Sequence, residues 1–117
     1  MRNIPINLGG YRLQVTEAPE MKVRKGDNGK DEVVTDANGV TKFVVGLFAK
    51  KRQESGERRE KGEEIRVTLD SDPGHEVNDG ELVELIDPRV TPYSMKNERG
   101  ETVSGVAFAA RGLKPVT

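Results

Sequence analysis

The chain has 117 residues, with no Cys, no Trp, one His and five aromatics in all, and its 19 Lys plus Arg nearly cancel its 20 Asp plus Glu. That length predicts one domain, residues 1–117, with a modest core. The missing Cys excludes disulfides, zinc fingers, iron–sulfur clusters and thiol nucleophiles, and a lone His75 excludes multi-histidine metal sites and argues against a Ser-His-Asp triad.

Strand signals dominate the chain order. Residues 1–10 read as an N-terminal arm ending in Gly9-Gly10. Tyr11-Arg-Leu-Gln-Val-Thr16 alternates apolar and polar, as a half-buried strand does. Pro19 predicts that the strand bends there or restarts at Met21, and Met21-Lys-Val-Arg24 alternates again. Lys25 to Asp31 is turn-rich. Glu32 to Asp36 is then expected to pair with Val40 to Ala49 across Asp36-Ala-Asn-Gly39, because Asn-Gly between β-branched runs is a strong hairpin signal.

The longest apolar run, Phe43 to Ala49, stops at Lys50, far short of the ~20 residues of a membrane helix. No N-terminal apolar leader is visible. The expectation is a cytoplasmic protein without a membrane partner. Residues 50–62 carry no apolar side chain and read as a flexible charged hairpin loop. Glu64 to Leu69 alternates again, with Ile65, Val67 and Leu69 facing inward. Asp70 to Gly80 is a loop, Leu82 to Ile86 a strand, and Asp87-Pro88 a kink after which Val90 to Met95 continues. Lys96 to Gly100 turns into a last strand, Thr102 to Ala110. Counting bent strands once gives five strands and no convincing helix, a pattern of small barrels or sandwiches.

The near-zero net charge hides a partition. Residues 70–87 carry seven acidic groups and no basic one, whereas residues 1–30 carry six basic and three acidic, and residues 50–66 seven basic and five acidic. What attracts phosphate is a local face, not a sum. No Walker-type glycine loop and no His-Glu-x-x-His motif is present, so the chain is expected not to be an enzyme and to need no cofactor. Asp70 and Asp72 begin like a calcium loop, but Pro73 and the missing later ligands favour a solvated acidic connection and no metal.

The basic residues are more suggestive. Lys50, Lys51 and Arg52 end one strand, while Arg58, Arg59 and Lys61 approach the next, so both clusters fall at one hairpin tip. Period-2 alternation puts Phe43, Val45, Leu47 and Ala49 on a core face and Lys42, Val44, Phe48 and Lys50 on the outer one. An outward aromatic between two lysines suits base stacking with backbone neutralisation. Arg66, Tyr93, Arg111 and Lys114 complete the candidate DNA-binding set, and Phe108 is assigned to the core.

Three stretches carry a family likeness: Ile65-Arg-Val-Thr-Leu-Asp70, Gly80-Glu-Leu-Val-Glu-Leu85 and Val106-Ala-Phe-Ala-Ala-Arg-Gly-Leu-Lys-Pro115. Their order resembles the filamentous-phage gene V type of single-stranded DNA-binding protein. Val34-Thr-Asp-Ala-Asn-Gly-Val40 and Phe108 to Pro115 also resemble the small replication, integration and excision activators of actinobacterial conjugative plasmids and integrative elements. The chain is similar in spirit to the helicase-processivity protein of conjugative elements.

The resemblance implies an all-β, five-stranded OB-like barrel with a long charged hairpin loop. It implies single-stranded DNA as partner, in mobile-element replication or transfer, and a homodimer, since gene V-type proteins pair. With only two Tyr and no basic balance, the chain departs from the gene V pattern, which implies modest affinity or a requirement for an oligomer or partner enzyme. The alternative is a protein-interaction adaptor docking on a helicase, relaxase or translocase through a strand edge or the acidic loop.

Overall fold

A computed structural model describes residues 2–52 and 61–116. The described residues are all β, without a helix, in ten strands. They are β1 (Ile4–Pro5), β2 (Tyr11–Met21), β3 (Val23–Lys25), β4 (Asp31–Val33), β5 (Phe43–Lys51), β6 (Glu63–Leu69), β7 (Leu82–Ile86), β8 (Arg89–Lys96), β9 (Thr102–Ala110) and β10 (Gly112–Pro115). Eight form one strongly curled mixed sheet in the order β1-β8-β9-β6-β5-β2-β7-β10, and β3-β4 form a separate hairpin. All named pairings are antiparallel except β6 with β9.

The strand count corrects the expected five. Three of the additional strands are the short β1, β3 and β4, and the other two arise at corners. Asp87-Pro88 separates β7 from β8: proline cannot donate to the ladder, and Asp87 adopts a left-handed φ of 50°. Asp and Asn are the non-glycine residues that visit that region most readily. The chain therefore turns, so that β7 pairs with β2 while β8 pairs with β9. Arg111 makes the matching corner between β9 and β10. Its N–H donates to the Ile86 carbonyl at 2.8 Å, and its Nε donates to Asp87 Oδ2 at 2.9 Å. The two corners thus hold each other.

Two further differences concern local pairing. Pro19 does not end its strand; β2 runs on to Met21 and absorbs the proline in register shifts between Val15 and Glu20. The Asn38-Gly39 turn forms as expected, with Gly39 at φ 82° and the Asp36 N–H donating to the Val40 carbonyl. The segment before it does not pair along β5. Only a single bridge, Thr35 to Thr41, follows that turn, and β4 pairs back onto β3 instead. The edges of β5 are taken by β2 and β6.

The core lies inside the curl. Val45, Leu47, Val67 and Leu69 are completely buried, joined by Leu13, Val15, Ile65, Val83, Ala110 and Leu113. These are the inward members of period-2 strands, and each large side chain contributes roughly 1.5–3 kcal/mol of transfer free energy. Phe43, Ala49, Leu85 and Phe108 pack against this cluster from its margin. Val77, in the acidic 70–80 connection, is buried too and pins that loop over the core.

Candidate nucleic-acid interface

The outer face of the curl is read from the registers. Gln14 faces Phe48 and Arg12 faces Lys50 across β2 and β5. Across β5 and β6, Phe48 faces Glu64, Gly46 faces Arg66 and Val44 faces Thr68. Thr68 neighbours Ala109 on β9, and Gly105, four residues before Ala109, faces Tyr93 on β8. Because successive side chains alternate, these residues share the surface opposite the core. Of the expected set, Phe48, Lys50, Arg66 and Tyr93 therefore lie on one continuous sheet face.

Both aromatics are held by glycine. Phe48, 37% exposed, lies against Gly62, where any Cβ would strike its ring. Tyr93, 42% exposed, crosses its register partner Gly105. An aromatic laid over a cross-strand glycine shields backbone that glycine leaves bare.

Tyr93 borders a trough of about 330 Å³. Met21, Lys22 and Val23 line it where β2 passes into β3, and Tyr93 and Ala107 line it from β8 and β9. Val44, Arg66, Thr68 and Glu20 line it too. Lys22 Nζ donates to Thr68 Oγ1 at 2.8 Å, and the Lys22 N–H donates to the Lys42 carbonyl at 2.8 Å. Burial first, then the charges of Lys42 and Arg66, lower the pKa of Lys22.

Lys22 and Arg12 were not singled out by sequence patterning. The bulges before Met21 break the period-2 count that would have put Lys22 beside Lys42. Arg12 does share parity with Gln14, but its like-charged partner Lys50 is set by a register that only pairing reveals. Like charges directly opposite are destabilising on a sheet, so their retention here suits an anionic ligand.

The remaining candidates lie elsewhere. Lys51 faces Tyr11 at the end of β5, and the Arg52 N–H donates to the Gly10 carbonyl. Lys61 is exposed before β6. Arg58 and Arg59 lie outside the described residues. Arg111 pairs with Asp87, and Lys114 lies 3.6 Å from Glu84, its register partner on β7. By contrast Arg12, Lys22, Lys42, Lys50 and Arg66 have no ion-pair partner among the described residues.

The acidic connection is structurally engaged. Asp70 accepts both arms of Arg89, at 2.7 and 3.1 Å, and Asp72 Oδ1 accepts the Gly74 N–H. Among the described residues no group of three or more His, Cys, Asp or Glu could hold a metal ion, and no helix is long and apolar enough to cross a membrane. No protein-family model and no curated protein sequence matches the chain.

Proposed function

We propose that the protein is a non-enzymatic, OB-like module that binds single-stranded DNA across the outer face of β5 and β6. The observation that carries this reading is the convergence, on one face, of two glycine-seated aromatics and five cations that have no ion-pair partner among the described residues. Aromatics stack bases without reading sequence, and cations track the backbone.

The connectivity supports the fold part of the reading. If β7–β8 and β9–β10 are each counted as one bent strand, the pairings run β2-β5-β6-β9-β8 and return through β7 to β2. That is a ring of five, with β5 and β6 as its second and third strands. OB barrels bind oligonucleotides on the face of those two strands, between the loops after the first and fourth. Here the β3-β4 hairpin and the β8-β9 turn occupy those loop positions. The role in mobile-element replication or transfer rests on the resemblance of the 65–115 strands and of Val34 to Val40.

The test is fluorescence anisotropy with labelled oligo-dT and with duplex DNA at two salt concentrations. Oligo-dT binds more tightly than duplex, and log affinity falls with log salt by about 0.7 per phosphate neutralised. A flat salt dependence overturns the proposal.

A second reading, an adaptor for a helicase, relaxase or translocase, is favoured by a different observation. Met95 and Val103 are register partners on β8 and β9, and both are exposed. Recovery of such an enzyme in pull-downs, with no oligonucleotide binding, decides for it. Size-exclusion chromatography with light scattering reads whether the chain forms the homodimer that the resemblance implies.

A further inference from the structure

We propose that Lys22, Lys42, Arg66 and Thr68 form a seat for a single phosphate group at one end of the trough. The inference deepens the strand-binding reading and rests on it for the source of the phosphate; the anion chemistry of the corner is argued from its own geometry.

Three cations arrive there from three different elements. Lys22 comes from the junction of β2 and β3, Lys42 from the residue before β5, and Arg66 from the middle of β6. Thr68, two residues beyond Arg66 on the same face, is the half-buried hydroxyl to which Lys22 donates. An ammonium carries three protons and no acceptor, so Lys22 keeps two protons for other partners. A hydroxyl that accepts from Lys22 still has its own proton to give. The Arg66 guanidinium adds a planar fork of donors suited to phosphate oxygens. The corner thus gathers several donors and positive charge near Thr68, which is what a multi-acceptor anion requires.

The nearby carboxylates do not fill this role. Asp70, close enough to feel Lys42, already accepts both arms of Arg89. Glu20 also lines the trough, without an ion pair to any of the three cations. The three cations thus lie close together without an ion pair among the described residues, and the depressed pKa of Lys22 is in keeping with that. The apolar residues that line the same trough, among them Met21, Val23 and Val44, suit a phosphate that carries an organic group.

The experiment is a heteronuclear NMR titration of the full chain with inorganic phosphate, ionic strength held constant with sodium chloride. Saturable shifts confined to the amides around Lys22, Lys42, Arg66 and Thr68 are expected. Lys22→Met and Lys42→Gln should each weaken the phosphate affinity about tenfold, with the rest of the spectrum preserved. Shifts that grow linearly without saturation, that chloride reproduces, or that persist in both variants overturn the seat. Oligo-dT binding without phosphate saturation overturns the seat and leaves the strand-binding reading standing. Saturable phosphate binding without oligo-dT binding upholds the seat and overturns that reading.

Discussion

The side chain of Tyr93 lies across Gly105, its register partner on β9, so closely that a Cβ at Gly105 would stand 2.7 Å from the tyrosine hydroxyl oxygen. The glycine is therefore a packing requirement of the aromatic, and the two form one unit of the outer face. Tyr93→Ala should cost roughly 1–3 kcal/mol of oligo-dT affinity, the range for a stacked base. Gly105→Ala should lower affinity as well, because it lifts the hydroxyl end of the ring while leaving Tyr93 in the chain. Anisotropy titrations on variants with unchanged circular dichroism read both effects. Unaltered affinity in Tyr93→Ala removes that ring from the interface.

Phe48 against Gly62 repeats the arrangement on β5. Three strand spacings separate β5 from β8 through β6 and β9, about 14 Å at the usual distance between neighbours. At that separation two substitutions act independently, within about 0.5 kcal/mol. Phe48→Ala should cost roughly 1–3 kcal/mol of oligo-dT affinity. The double variant with Tyr93→Ala should lose the sum. A double variant no weaker than either single one would mean that the two rings do not contact separate bases.

Much of the core was legible from alternation alone. Val45, Leu47, Ile65, Val67 and Leu69 are buried as their period-2 positions require, and Phe48 points outward as its parity demands. The Asn38-Gly39 turn was legible from its residue types. The trough was not. It depends on which strands meet at a distance, and β6 beside β9 is a parallel pair separated by the whole 70–101 stretch. Lys22 was hidden because the register shifts around Pro19 reset the count of inward and outward positions. Val77 was hidden because a lone apolar residue among acids carries no period at all.

The pair of Asp70 and Arg89 ties the end of β6 to the start of β8. Its hydrogen bonds hold the Asp70 carboxyl below the ordinary aspartate range, and the same bonds raise Arg89. A carboxylate with a depressed folded-state pKa contributes stability that is complete above its unfolded value, near about 3.9. That contribution is lost as pH falls through the lower folded value. Acid denaturation of the native chain should therefore steepen below about pH 4. Asp70→Asn should lower stability at pH 7 by about 1–3 kcal/mol, since Arg89 loses a charged partner. It should also flatten the acid limb. Urea melts at pH 7 and pH 3 separate the two effects, and equal stability of both chains at pH 7 would show that the pair does not support the corner.

Lys22 has the opposite sign. Its folded-state pKa lies below the unfolded value, so between the two the unfolded chain binds more protons than the folded one. Stability consequently rises with pH across that alkaline window, and below it the charged lysine opposes folding by a constant amount. Lys22→Met removes that opposition while keeping a flexible apolar stem against Val44 and Thr68. The half-buried Thr68 hydroxyl can exchange its lost partner for water. The variant should melt at a higher temperature than the native chain at pH 7, while its oligo-dT salt slope becomes shallower by about 0.7, one phosphate fewer. Differential scanning calorimetry and the anisotropy series check the two halves together. A variant that is both less stable and unchanged in salt slope would make Lys22 a structural residue. Greater stability with a shallower slope is the mark of a cation kept at the expense of the fold for the sake of a ligand.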